Sequence, residues 1–433
     1  MTPMEIGFIG IVIMILLLFV GVPVGFAMTL VGFTGFAVLS SYDAALGLLR
    51  VIPYSTVSDY GLSVLPLFVL MGAFCYSAGL SKDLYNAAYS WLGKLPGGLS
   101  IATVGACAAF AAVSGSSMAT AVTMGAVALP EMKRYKYDSA LATGCVAAGG
   151  TLGILIPPSV ALVLYGIITE TSIGQLFLAG FIPGILQAVF YAVTILILCK
   201  IKPSLAPPAP GTTMMHKLNS LKGTWMVILL FLLVIGGIYL GVFSPTEAAG
   251  IGAFGAFVFA LARRKLGWKE FKTSLADTMK STAMVFTMMI GATLLTYFMS
   301  VTRLPNDLGT IIASFHLNRY VLMAGILFFY IILGCFLDSI AMIMLTVPIF
   351  FPIITAMNFS PVWFGILVVR VVEMGLITPP IGINVFVIKG IAEDVSMQTI
   401  FKGIIPFLIA DVIHIALLVA IPSLSLLLPS MMK

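Results

Sequence analysis

The sequence predicts an all-α polytopic membrane protein built from two inverted-topology repeats, each with five spanning segments plus a re-entrant hairpin. Three observations predict it. Of the 433 residues, 61% are hydrophobic and 9% charged, whereas a soluble domain carries roughly a quarter charged residues. The apolar segments fall into two sets that superimpose on a shift of 222 residues. The Lys and Arg residues gather on one side of the membrane that this segment order implies.

The first set of apolar segments lies at about 5–20, 24–40, 62–80, 98–132, 138–168 and 176–199. No basic stretch precedes the first of them, so residues 1–20 are expected to be a membrane helix rather than a cleaved signal peptide. A linker with Pro203, Pro207, Pro208 and Pro210 follows, and its proline content predicts a semi-extended connector. The second set lies at about 223–242, 246–262, 277–300, 320–356, 361–388 and 402–428. The repeat shows in its punctuation: Ser117 maps to Ser339, Pro130 to Pro352, Gly153 to Gly375, and Pro157-Pro158 to Pro379-Pro380. The expected organisation is a first repeat over 1–205, a cytoplasmic linker over 206–222 and a second repeat over 223–433.

The segment 98–132 is too long for one crossing, because at ~1.5 Å rise per residue it exceeds a hydrocarbon core of about 30 Å. The polar SGSS of 114–117 interrupts it, so the chain is expected to enter, turn and leave by the same face. The segment 320–356 repeats this, with a turn at Leu337-Asp338-Ser339. The segments 138–168 and 361–388 read as helices broken at 149–159 and 373–384. Five crossings per set is an odd number, so the second copy must run upside down. The charges agree: seventeen of the 22 Lys and Arg fall in inside loops, while Arg50, Arg303, Arg319 and Lys433 stay outside and Arg370 lies within a span. Both termini are then periplasmic, the first hairpin opens inward and the second outward.

The same reading limits what the chain does. The net charge of +6 reflects inside loops in a lipid bilayer, with no nucleic-acid partner implied. Cys75, Cys107, Cys145, Cys199 and Cys335 are scattered through apolar runs, without disulfide or metal spacing. No phosphate-binding GxxxxGK[ST] loop is present, so ATP is not used by this chain.

Chemistry is expected at the tips and breaks, where backbone at membrane depth loses helical bonds and must line a cavity or be buried in protein. Freed carbonyls with the hydroxyls of Ser114, Ser116, Ser117, Thr151 and Ser159 make a hard-oxygen cage suited to Na⁺. Asp338, Ser339, Glu373, Thr378 and Asn384 offer the same in the second half. Half-helix N-termini at the tips suit a solute carboxylate. The intramembrane ionisable residues Asp338, Arg370, Glu373, Asp411 and His414 are functional candidates by their cost in lipid. Arg370 and Glu373, spaced i,i+3, either neutralise each other or leave Arg370 for an anionic solute. Asp411 and His414, equally spaced, are expected to contact one another. Against all this stands the plain alternative that Gly and Pro merely kink helices and Ser packs helix to helix. Four symmetric breaks favour a site.

The runs SGSSMATAVTMGAVALPEM, GGTLGILIPPS and GLITPPIGINVFVIKG resemble the large membrane (M) subunit of tripartite ATP-independent periplasmic (TRAP) transporters, across essentially the whole chain. The resemblance implies an elevator-type ion-transporter fold, with hairpins and broken helices mobile against a scaffold of the other helices. It implies bacterial inner-membrane uptake driven by two or more Na⁺ ions, with no organic cofactor and no enzymatic activity. The partners implied are a small four-helix membrane (Q) subunit and a soluble periplasmic substrate-binding (P) protein. The ion sites it implies are Ser114, Ser116, Ser117, Gly149, Thr151 and Gly153, and in the second half Asp338, Ser339, Gly375 and Thr378. Candidate solute contacts are Ser116, Ser159, Asp338, Arg370 and Asn384. The implied solute is an organic acid, sialic acid before a C4-dicarboxylate. Alternatives are a stand-alone Na⁺-coupled dicarboxylate or citrate symporter of related fold and a cation channel with two re-entrant loops. A membrane protease or hydrolase is disfavoured, because no base accompanies the serines.

Overall fold

Helices, most of them apolar, carry the described residues. A computed structural model describes residues 2–207, 213–305, 307 and 318–432, and no strand occurs among them. Part of the linker, with Pro208 and Pro210, lies outside the described residues, as do His316 and Lys433. In the first half helices run over Pro3–Phe19, Val24–Leu39, Tyr42–Val57, Val64–Ser77 and Leu80–Leu92. The first hairpin is Gly98–Ser114 and Ser117–Arg134; the first broken helix is Ser139–Gly150, Leu152–Leu155 and Val160–Ile168; Ile173–Ile201 closes the half. The second half has Met214–Leu221, Trp225–Tyr239, Pro245–Ala262 and Trp268–Thr302, then a hairpin of Arg319–Gly334 and Ser339–Ala356. Its broken helix is Pro361–Gly375 and Ile383–Ile391, followed by Met397–Ala420 and Ser423–Ser430.

Local chemistry sets many of these boundaries. Thr2 with Glu5, and Ser244 with Glu247, form capping boxes that satisfy N–H groups at the starts of Pro3–Phe19 and Pro245–Ala262. Asp138 accepts from the N–H groups of Ala140 and Leu141 and so starts the first broken helix. Several crossings are made by bent pairs: Tyr42–Val57 with Gly61–Ser77 turns by 55°, and Ser139–Leu155 with Val160–Ile168 by 42°. Trp268–Thr302, at 35 residues, is ~52 Å long. It overshoots the expected 277–300 because its first turns carry Lys269, Glu270 and Lys272 ahead of the apolar zone.

Both re-entrant stretches are hairpins. Near the open end of the first, Tyr89, just upstream, meets Tyr135 hydroxyl to hydroxyl at 3.3 Å, and the Tyr137 hydroxyl accepts from the N–H of Leu99. In the second, Tyr320 packs edge-on against Phe359. The two broken helices run antiparallel. The Tyr165 hydroxyl, near the end of the first, donates to the Pro361 carbonyl at the start of the second, at 2.7 Å. At the far end Lys133 pairs with Asp394 at 2.6 Å. Antiparallel broken helices are what an inverted repeat requires.

Packing divides the helices into two groups. Val24–Leu39, Val64–Ser77, Pro245–Ala262 and Trp268–Thr302 pack chiefly on one another. The hairpins and broken helices form the other group, and Ile173–Ile201 and Met397–Ala420 belong with them. This corrects the expectation that every other helix is scaffold. The reason is close backbone contact: a Cβ on Gly144 would stand 2.3 Å from the Gly403 carbonyl oxygen, so Met397–Ala420 lies against the first broken helix. Small residues at membrane depth permit that approach.

Candidate functional site

Each hairpin tip rests on the break of its own half. At the first tip Gly115 takes a left-handed φ of 60°, open to glycine without steric cost, and a Cβ there would lie 2.9 Å from the Pro158 carbonyl oxygen. Ser116 caps Ser117–Arg134, accepting from the N–H of Ala119 at 3.4 Å. The Ser114 hydroxyl meets that of Thr120 at 2.9 Å, and Thr120 donates to the Ser116 carbonyl. A Cβ on Gly153 would stand 2.5 Å from that same Ser116 oxygen, and one on Gly149 2.9 Å from Cys107 Sγ. At the second tip Asp338, the repeat mate of Ser116, caps Ser339–Ala356 by accepting from the N–H groups of Ile340 and Ala341, each at 3.1 Å. A Cβ on Gly375 would stand 2.6 Å from Gly334 Cα. Pro157 and Pro379 lack the N–H that a continuous helix would aim at the carbonyls of Gly153 and Gly375. The Gly375 carbonyl takes the N–H of Thr378 instead.

The tips meet on one side chain. Glu373, on the second broken helix, is 1% exposed. It accepts the Ser117 hydroxyl on Oε2 and the Ser339 hydroxyl on Oε1 at 2.8 Å. Ser117 and Ser339 are the pair related by the 222-residue shift, and each is the first residue of a half-helix. Two helix N-termini, each carrying about half a positive charge, thus face the protein's own carboxylate. The expectation that these ends lie open for a solute carboxylate is corrected: Ser116 and Asp338 cap them and Glu373 stands between them. Glu373 is among the second-half oxygen donors and intramembrane charges that the sequence singles out; its bridge between both tips is what the sequence did not show.

The other charges pair differently from the expectation. Arg370 and Glu373 are not partners. The Arg370 guanidinium turns to Met397–Ala420, where Nη2 pairs with Asp411 and Nε donates to His414 Nδ1 at 3.0 Å. Asp411 and His414 therefore share Arg370 rather than each other, and all three are 0% exposed. Buried charges need close partners; Asp411 takes the Arg370 guanidinium, and Glu373 takes the hydroxyls of Ser117 and Ser339. Thr151 also points away from the tips: its hydroxyl donates to the Ala148 carbonyl at 2.6 Å, meets the Tyr191 hydroxyl and accepts from Gln187 Nε2, both at 3.1 Å. Tyr191 and Gln187 on Ile173–Ile201 were outside the sequence reading. Ser159 is fully buried and caps Val160–Ile168 through the N–H of Leu162. Thr378 donates to the Met374 carbonyl at 2.6 Å. Asn384 is fully buried with neither amide atom hydrogen-bonded.

Four interrupted helices meeting on polar groups inside an all-helical, multi-pass membrane protein define a transporter of the elevator-type ion-transporter fold. A solved structure agrees on the fold: the YdaH transporter of Alcanivorax borkumensis superimposes with a TM-score of 0.65 over 87% of this chain and 88% of that one, at 15% identity. The family is defined by sequence. Residues 11–424 match the family described as tripartite ATP-independent periplasmic transporter, DctM component, and the chain belongs to it. A C4-dicarboxylate TRAP transporter large permease protein of Pseudomonas aeruginosa is 35% identical, over 87% of this chain and 88% of its own length. A sialic acid TRAP transporter large permease protein of Vibrio cholerae is 32% identical, over 96% of both.

Proposed function

We propose that the chain is the large membrane subunit of a Na⁺-coupled secondary transporter that imports an organic acid across the bacterial inner membrane. A periplasmic binding protein delivers the solute and a small four-helix membrane subunit completes the complex. The observation that carries this reading is the convergence of two repeat-related tips, each seated on a break, inside the membrane. Hydroxyl and carbonyl oxygens at the tips and breaks are hard ligands suited to Na⁺. Ser114, Ser116 and Gly153 supply them in the first half, and Asp338, Gly375 and Thr378 in the second. Asn384, buried and unpaired, offers a donor and an acceptor to a solute, since an unpaired buried amide is costly to keep. Arg370 is given a supporting role here, because its guanidinium is held by Asp411 and His414.

A charge crossing the membrane gains about 2.3 kcal/mol per 100 mV, so two Na⁺ ions moving with one monoanion concentrate solute strongly. The mobile unit of the cycle is the group of hairpins, broken helices, Ile173–Ile201 and Met397–Ala420, sliding against the remaining helices. Of the two relatives described above, one is named for C4-dicarboxylates and the other for sialic acid, and the test is built on that contrast. The chain is reconstituted with candidate partner chains under an imposed Na⁺ gradient, and uptake of sialic acid is compared with uptake of succinate. Saturable uptake of one acid that collapses without the gradient is expected. Na⁺ current without solute flux would point to a channel instead, and full uptake by this chain alone to a stand-alone carrier.

A further inference from the structure

We infer that Glu373 couples the two hairpin tips, so that a change at one tip is transmitted to the other through its carboxylate. The inference rests on the reading of the tips as the working site, and it adds how the two half-sites act together. Three facts of geometry carry it. The two oxygens of one side chain are divided between the two tips, Oε2 to Ser117 and Oε1 to Ser339. Both serines open the half-helices that leave the tips, so a rotation of either helix start moves a hydrogen-bond donor of Glu373. The carboxylate is almost fully buried, and among the described residues no Lys, Arg or His side chain pairs with it; the two serine hydroxyls hold it instead.

The arrangement is also asymmetric in a way that suits a link. The repeat mate of Glu373 is Thr151, whose hydroxyl faces Ile173–Ile201. One half supplies the carboxylate and both halves supply a hydroxyl to it. Glu373 sits on the rigid arm Pro361–Gly375, where every residue from Val362 to Gly375 is buried. That arm is in turn tied to Met397–Ala420 by Arg370. The two tips are therefore referred to one fixed point. When one serine withdraws, for instance to turn its oxygen toward an ion, the carboxylate is left under-bonded and strengthens its hold on the other. Glu373 is a positioning residue in this account.

The test is hydrogen–deuterium exchange on the purified full chain in lipid nanodiscs, without Na⁺ or solute, so that its failure is separable from failure of the transport reading. Ser339→Ala is expected to change exchange of the first-tip peptide over 114–121 at least fivefold, the lower end of a typical coupling between sites. Ser117→Ala is expected to do the same to the second tip. Thr355→Ala, at the far end of the second hairpin, where Thr355 bonds only its own helix, should leave the first tip unchanged. In a Glu373→Met background the serine substitutions should lose their remote effect, and Glu373→Gln, which keeps an amide between the hydroxyls, should retain it. If Ser339→Ala leaves the first tip as it was, or acts no differently from Thr355→Ala, the inference is overturned whether or not Glu373→Met folds.

Discussion

The two hairpins match on the 222-residue shift and are held differently. In the first, the arm leaving the tip exposes Met118, Ala119, Val122 and Ala126 along one face. In the second, the corresponding arm is buried from Ala341 to Val347, packed on Val160–Ile168 and Trp268–Thr302. The charges follow the same division. At matched positions the first half has Ser116, Ala148 and Thr151 where the second has Asp338, Arg370 and Glu373. Buried charge is tolerated only where partners surround it, and these charges have them: Arg370 takes Asp411 and His414, and Glu373 takes the two tip serines. The difference teaches that the halves share a backbone plan and divide the labour: the second holds the fixed charges, while the first leaves one face of the arm beyond its tip exposed.

The largest expected effect comes from breaking the charged side of this comparison. Arg370→Met strands Asp411 in the interior and should cost about 3–5 kcal/mol, seen as a lower unfolding temperature of the chain in detergent. Arg370→Met with Asp411→Leu should recover most of that loss; a single substitution as stable as wild type would show that the trio does not act as a unit. Next come the caps. Asp338→Ala and Ser116→Ala each remove a helix N-cap worth about 1 kcal/mol, and both should weaken Na⁺-dependent uptake without preventing membrane insertion. Unchanged uptake and Na⁺ dependence in both would remove the tips as ion sites.

A comparable but purely structural effect is expected at Gly115. An alanine there must hold a left-handed backbone at about 1–2 kcal/mol and press on the Pro158 carbonyl, whereas no residue of the second tip has a positive φ. Thermal unfolding of Gly115→Ala checks it. The smallest effect belongs to the surface pair Lys133–Asp394, whose side chains are 75% and 62% exposed. Lys133 beside Asp394 holds its carboxyl below the usual carboxylate range. The stability so added is present above the unfolded carboxylate's pKa and is lost as pH falls through the lower folded value. A Lys133→Ala chain should differ slightly from wild type at neutral pH and not at all in strong acid, in paired melts.

Much of this was legible because membrane depth makes polar punctuation expensive. SGSS in an apolar run, and paired prolines 222 residues apart, mark the tips and breaks with no tertiary information. Three helices escaped because their sequences are at most moderately apolar: Tyr42–Val57, with Asp43 and Arg50, Leu80–Leu92, with Lys82 and Asp83, and Met214–Leu221, with His216 and Lys217. The last replaces part of the expected semi-extended linker. Partner choice escaped for another reason. Arg370 and Glu373 are spaced to share a helix face, yet one turns to Met397–Ala420 and the other to the tips, a decision made by helices far away in sequence. The capping roles of Ser116 and Asp338 were open to inference, since both residue types favour N-caps before a helix.

Everything here depends on the two tips lying together across the repeat, and a thiol bridge reads that directly. With the five native cysteines replaced, Ser117→Cys and Ser339→Cys together should be bridged by Hg²⁺ or a short bifunctional thiol reagent in the folded chain, detected as an intramolecular adduct by mass spectrometry. A pair of Ser117→Cys with Thr355→Cys should not be bridged. Bridging of the first pair alone is the result expected; no bridging, or equal bridging of both pairs, would contradict the meeting of the tips.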